Sequence, residues 1–171
     1  MYKKQILILN LLYETSLKTS FDKRIAEVFQ TIDTPYDTIY LDDLRNFNKS
    51  DHYTHLMISG STESATEENA WYRDLDAIIH RFRSDEKSIL GICFGHQYLV
   101  RHILGKEHIR KSSTPEIGWT DITLSNNPIF RKINSFKSAV FHYDEVFDLD
   151  NRFRHLQHQL NLVYKTFSQH P

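Results

Sequence analysis

The sequence predicts a three-layer α/β domain: a central, mostly parallel sheet with helices on both faces and a sharp strand-to-helix turn at its rim. Three observations predict it. Short runs at residues 5–11 (QILILNL), 55–60 (HLMISG) and 89–92 (ILGI) are almost continuously apolar, as strands covered on both faces are. Segments with apolar residues at helical spacing lie between these runs. Two of the five glycines, Gly91 and Gly95, flank the single cysteine, Cys93, where the last run ends. Strands that alternate with helices pair in parallel through right-handed crossovers. Binding sites in such sheets lie beyond the carboxyl ends of the strands.

Taken in order, residues 5–11 are the first strand. Residues 20–31 form an amphipathic helix with Phe21, Ile25, Val28, Phe29 and Ile32 on its apolar side. Pro35 breaks the chain, and residues 37–41 (DTIYL) are a second strand. Residues 42–51 are polar and read as loop. The third strand, residues 55–60, runs into a polar loop at 61–69. A helix follows with Trp71, Leu75, Ile78, Ile79 and Phe82 toward a core. After the fourth strand, Tyr98, Leu99, Ile103 and Leu104 recur at helical spacing up to Gly105, a helix stop. From Lys106 the pattern changes. Residues 109–113, 120–124 and 138–142 read as three further strands, with a helical turn at Phe130 and Ile133 between the last two. Residues 152–169 read as a polar helix, because Arg152, Arg154, His155, Gln157, His158 and Gln159 dominate them.

A chain of 171 residues suits one domain, residues 1–171. A formal net charge of -1 supplies no field for nucleic acid or a membrane surface. No apolar run approaches the roughly 20 residues that span a bilayer, and the first four residues do not make a signal peptide. One cysteine excludes an internal disulfide. The expected location is the cytoplasm. Ten histidines invite a metal reading, but none sits in a metal-binding helix motif such as H-E-x-x-H. No metal is expected.

Gly91-Ile92-Cys93-Phe94-Gly95 at a strand-to-helix junction has the form of a nucleophile elbow. Glycine on both sides lets backbone pass close to the corner residue. The corner exposes sulfur beside a helix N-terminus, whose partial charge favours thiolate. A lone cysteine is more commonly a small buried apolar residue; the elbow frame, and His96-Gln97 directly after it, favour the nucleophile. Acyl transfer by Cys93 needs a base, a group that orients the base, and an oxyanion hole. The N–H of Phe94 is the expected first oxyanion donor, and the second should come from a neighbouring strand-end loop. His96 follows the corner by three positions and points along the helix away from sulfur, which makes it a structural residue rather than the base.

The stretch Gly91-Ile92-Cys93-Phe94-Gly95-His96-Gln97 resembles the nucleophile motif of the class I (triad) glutamine amidotransferases. Further matches cover most of residues 5–146. Ile58-Ser59-Gly60-Ser61-Thr62-Glu63-Ser64 resembles the family's L-S-G-G-P-E-S loop, with Ser61 in place of the second glycine and Thr62 in place of proline. Glu116-Ile117-Gly118-Trp119 and His142-Tyr143-Asp144-Glu145-Val146 look like its E-x-G-W and H-x-D-x-V segments. The resemblance implies a flavodoxin-like sheet and a Cys93 nucleophile. It implies oxyanion donors at Ser61 and Phe94, and a glutamine site at Gly60, Gln97 and the backbone of Tyr143 and Asp144. For these last two stretches the alternatives are, respectively, a core Trp119 and a solvated turn at Asp144-Glu145.

The family's base and its orienting carboxylate occur as H-P-E. Here His170-Pro171 matches the first two residues, the Glu is absent, and the stretch after Arg152 reads as truncated or divergent. His170 is the candidate base and an accidental match is the alternative, with His142 or Glu145 as a substitute. The expected function is hydrolysis of the γ-amide of glutamine, or of a related γ-glutamyl compound, through a Cys93 thioester, as a hydrolase or transferase releasing ammonia. This chemistry needs no cofactor. The resemblance implies a separate synthase subunit as ammonia acceptor, or a stand-alone hydrolase. The competing reading is a non-catalytic binding module of the same fold; a cysteine enzyme of the wider α/β elbow type comes last.

Overall fold

The computed structural model describes residues 5–123, 134–149, 154–155 and 162–165. In order they form β1 (Ile6–Asn10), α1 (Thr15–Ile32), β2 (Tyr36–Tyr40), β3 (His55–Ile58), α2 (Tyr72–Ser84), β4 (Ser88–Ile92), α3 (Phe94–Leu104), β5 (Ile109–Thr123), β6 (Ser135–Val146), β7 (Arg154–His155) and β8 (Leu162–Lys165). The larger sheet runs β2-β1-β3-β4-β8-β7. Its first four strands are parallel, and β8 is antiparallel to β4. The parallel part has the order of a flavodoxin-like sheet.

The alternation within β1 makes the three layers. Ile6 and Ile8 face α1, where they meet Phe21, Ile25 and Phe29. Leu7 and Leu9 face the opposite way, into a cluster with Leu75, Ile78, Ile79 and Phe82 of α2 and with Phe94, Tyr98 and Leu99 of α3. A strand apolar at both parities is therefore buried twice, and each such side chain contributes about 1.5–3 kcal/mol of transfer free energy. The apolar stripe of α1 is narrower than the sequence suggests: Val28 and Ile32 face solvent. The helix stops at Asp33 in the left-handed region (φ 43°, ψ 45°), two residues before Pro35.

Three segments differ from the sequence reading. Residues 42–51 hold two short 3₁₀ helices, Leu41–Asn46 and Ser50–His52, because Leu41 and Leu44 reach the core. The two strands expected at 109–113 and 120–124 are one strand, β5, antiparallel to a β6 that is longer than residues 138–142. The ladder slips between Lys111 and Glu116, where Pro115 has no N–H to donate. The polar helix expected over 152–169 is contradicted by β7 and β8. Leu162-Val163-Tyr164-Lys165 is rich in strand-forming residues and pairs along the edge of β4. The helical turn expected at Phe130 and Ile133 lies outside the described residues. No helix among the described residues is long and apolar enough to cross a membrane.

Candidate active site

Cys93 is the hinge between β4 and α3. Its backbone lies at φ 51° and ψ -111°, a region that L-residues with a Cβ rarely occupy, at a cost on the order of 1–3 kcal/mol. The neighbours leave the chain no easier path. A Cβ on Gly95 would stand 2.5 Å from Ile58 O, and one on Gly91 would stand 2.6 Å from the His96 amide nitrogen. The first turn of α3 thus rests directly on the end of β3, and the Gly95 N–H donates to Ser59 O at 3.2 Å. Phe94 is locked from behind by Trp71, Tyr72 and Tyr98, with ring centroids 5.4–5.8 Å away.

The thiol of Cys93 is partly buried, and that burial pushes its pKa above the ordinary thiol value. The Phe94 N–H pulls it down and the Asp144 carboxylate pushes it up, both by less. Position at the helix N-terminus favours thiolate, and burial acts against it. Desolvation of the charged form is the larger effect.

The loop after β3 lies against this corner. The ideal Cβ position on Gly60 is 3.5 Å from Cys93 Cβ. Ser61 is absent from the described residues with positive φ, so its side chain brings no backbone strain where the family pattern has glycine. Arg101 of α3 clamps the loop: it donates to Ala65 O at 2.9 Å and to Glu67 O, and forks onto the Glu68 carboxylate at 2.6 Å. Tyr72 Oη donates to Ser64 O at 2.8 Å.

The facing wall is the β5–β6 ribbon. Together the two sides enclose a cleft of about 240 Å³ lined by Ser61–Ser64, Cys93, Gln97, Lys111 and residues 141–144. Gln97 is 3% exposed, and its Nε2 donates to the Asp144 carbonyl at 2.8 Å, which ties α3 to β6. Asp144 is 5% exposed and lies within β6, so the solvated-turn alternative is wrong. Its carboxylate accepts from Ser64 Oγ at 2.6 Å and pairs with Lys111 Nζ at 3.2 Å; Lys111 Nζ also donates to Ser64 Oγ at 2.7 Å. Lys111 and Asp144 are direct cross-strand partners. Tyr143 is half-exposed at the mouth. His142 also lines the cleft, its Nε2 3.2 Å from Glu116 Oε2.

The structure therefore brings Cys93, Ser61, Gln97, Tyr143 and Asp144 to one cleft, with Gly60 beside the Cys93 corner and Phe94 behind it. His170 lies outside the described residues. His96 is buried in α3 and is absent from the described lining; Glu145 pairs instead with Arg110 at 2.6 Å. Trp119 is 78% exposed, which overturns the core alternative for it. Lys111 escaped the sequence reading because its partners lie 33 and 47 residues away. Ser64 stood in the loop motif, but nothing local marks its bond to Asp144. Among the described residues no group of three or more His, Cys, Asp or Glu could hold a metal ion.

Comparison with known proteins adds three kinds of likeness. γ-Glutamyl peptidase 2 of Arabidopsis thaliana is 35% identical over 101 residues, 56% of this chain and 40% of that protein. A provisionally named anthranilate synthase component II of Haemophilus influenzae is 26% identical over 128 residues, 72% of this chain and 61% of that protein. The matched part of the chain thus spans less than two thirds of either relative. The crystal structure of a glutamine amido transferase from Methylobacillus flagellatus superposes with a TM-score of 0.67 at 16% identity, over 98% of this chain and 63% of that one, and shares its fold. The family model described as glutamine amidotransferase class-I matches residues 14–167. With that match over most of its length, and an elbow cysteine facing a cleft at the rim of a parallel sheet, the chain belongs to the class I glutamine amidotransferases.

Proposed function

We propose that the chain hydrolyses the γ-amide of glutamine, or of a related γ-glutamyl compound, through a thioester on Cys93. One observation carries this reading: a strained cysteine at a strand-to-helix corner opens onto a cleft shared with Gln97 and the loop after Gly60. Hydrolysis or amidotransfer as the general chemistry is what the family and the γ-glutamyl peptidase likeness support. In the proposed sequence the base takes the Cys93 thiol proton as the sulfur attacks the γ-carbonyl. The Phe94 and Ser61 N–H groups stabilise the oxyanion. The amine leaves after taking a proton from the base, and water then releases glutamate. Gly60, Gln97 and the backbone of Tyr143 and Asp144 hold the substrate. For the base, His170 stays a proposal from the sequence. Among the described residues lining the cleft the histidine is His142, and Glu116 orients its ring as a carboxylate orients a catalytic imidazole.

The likeness to a component II supports a separate synthase subunit as ammonia acceptor. The sequence reading puts the reaction in the cytoplasm, where a lone thiol stays reduced. Steady-state ammonia release from glutamine and from γ-glutamyl dipeptides tests the proposal, wild type against Cys93→Ala. The expected result is a rate that Cys93→Ala abolishes.

The second reading, a binding module without turnover, is favoured by one feature: burial pushes the Cys93 thiol pKa above its ordinary value. Under that reading no ammonia is released. Alkylation of Cys93 then climbs only as pH rises through values above the ordinary thiol range, with or without glutamine.

A further inference from the structure

We propose that Lys111 is the carboxylate-binding group of the cleft, held ready by Asp144 and Ser64, and that it sets the preference of the site for anionic γ-glutamyl compounds. The inference rests on the glutaminase reading and deepens it.

Lys111 is the cation among the described residues lining the cleft; Glu63 and Asp144 are its acids. Asp144 is not available to a substrate ammonium. Its Oδ2 accepts from Ser64 and its Oδ1 pairs with Lys111. Its side chain is 5% exposed, whereas that of Lys111 is 54% exposed. The buried acid therefore serves the half-exposed base. A lysine ammonium has three protons. Ser64 Oγ accepts one at 2.7 Å, while the buried Asp144 Oδ1 pairs with the charge at 3.2 Å without accepting a hydrogen bond, which leaves protons for a ligand.

This placement has two chemical consequences. A long side chain fixed by two partners has already lost much of its rotamer freedom, so less is lost when a ligand binds. The ammonium also sits one cross-strand step from the carbonyl that Gln97 holds, on the wall facing Cys93. A γ-glutamyl compound carries an α-carboxylate at the end remote from its γ-carbonyl. A γ-glutamyl peptide carries a second carboxylate on the leaving amine. Both offer the same group to Lys111.

The test follows iodoacetamide alkylation of Cys93 by mass spectrometry, with glutamine or γ-glutamylglycine added as protector. Each protein's protection constants are taken against its own unprotected rate. Lys111→Met should weaken protection by about tenfold or more, the order of one hydrogen bond to a charged group, while Lys111→Arg stays within a few-fold of wild type. Equal loss for both protectors assigns the α-carboxylate; loss confined to γ-glutamylglycine assigns the leaving-group carboxylate. Wild-type protection retained in Lys111→Met, or lost equally in Lys111→Met and Lys111→Arg, overturns the inference alone. If neither compound protects wild type and no ammonia is released, the glutaminase reading falls and this inference with it.

Discussion

The two walls of the cleft are built on opposite terms. The elbow wall is an extension of the core. Gly91 and Gly95 sit against backbone, Phe94 is packed by three rings, and Arg101 and Tyr72 hold the loop. The ribbon wall is two antiparallel strands that leave large apolar side chains in solvent: Ile117 is 58% exposed, Trp119 78% and Phe141 67%. Ile109 and Val146 anchor one end of it in the core, and at the cleft it meets the elbow wall through polar contacts, Gln97 to Asp144 O and Ser64 to both Asp144 and Lys111. Strain at the nucleophile is tolerable where close packing over-determines the backbone. Recognition is left to a wall held by hydrogen bonds, each contributing about 1 kcal/mol.

The sharpest way to break this contrast is Gly95→Ala. Alanine gains about 1 kcal/mol of helix propensity over glycine. Here its Cβ would stand 2.5 Å from Ile58 O and 2.9 Å from Ile58 Cγ2. Overpacking against backbone wins, and a net loss of about 3 kcal/mol is expected in denaturant unfolding. A stability equal to wild type would mean that the elbow wall is not close-packed.

A middle-sized effect isolates the strain at the corner. Cys93→Gly and Cys93→Ala both remove sulfur, but only Ala keeps a Cβ at φ 51°. The Gly variant should be the more stable by about 1 kcal/mol, measured by the same unfolding. An Ala variant equal or better would show that the corner relaxes.

The smallest effect belongs to the ribbon. Trp119→Ser should change stability by less than about 0.5 kcal/mol, because a side chain already in water loses no burial. A larger loss would show that the exposed face of the ribbon carries packing after all.

What was legible in the sequence follows the same division. β1, β3, β4 and the elbow are local: seven consecutive residues around Cys93 specify strand end, turn and helix start. The ribbon side is non-local. The Lys111–Asp144 and Glu116–His142 pairings join residues 33 and 26 positions apart and depend on a register that slips near Pro115. No spacing rule along one segment reports such a register. The tail was misread for a related reason. Its Arg, His and Gln content suggested a polar helix, but Leu162–Lys165 gains its backbone partners from β4. Pairing with a distant strand outweighed local composition.

The chain's two tryptophans divide between the two walls, and this gives the molecule an optical signature. Trp71 is partly buried, its ring 5.6 Å from Phe94 and its indole N–H donating to Tyr13 Oη at 2.8 Å. Trp119 stands in solvent on the ribbon. A collisional quencher such as acrylamide therefore extinguishes the redder emission of Trp119 first and leaves a bluer component from Trp71. In the Trp119→Ser protein that component remains alone, a native fluorophore packed against the residue that follows the nucleophile. Its intensity and lifetime report directly on whether the corner moves when a ligand enters the cleft.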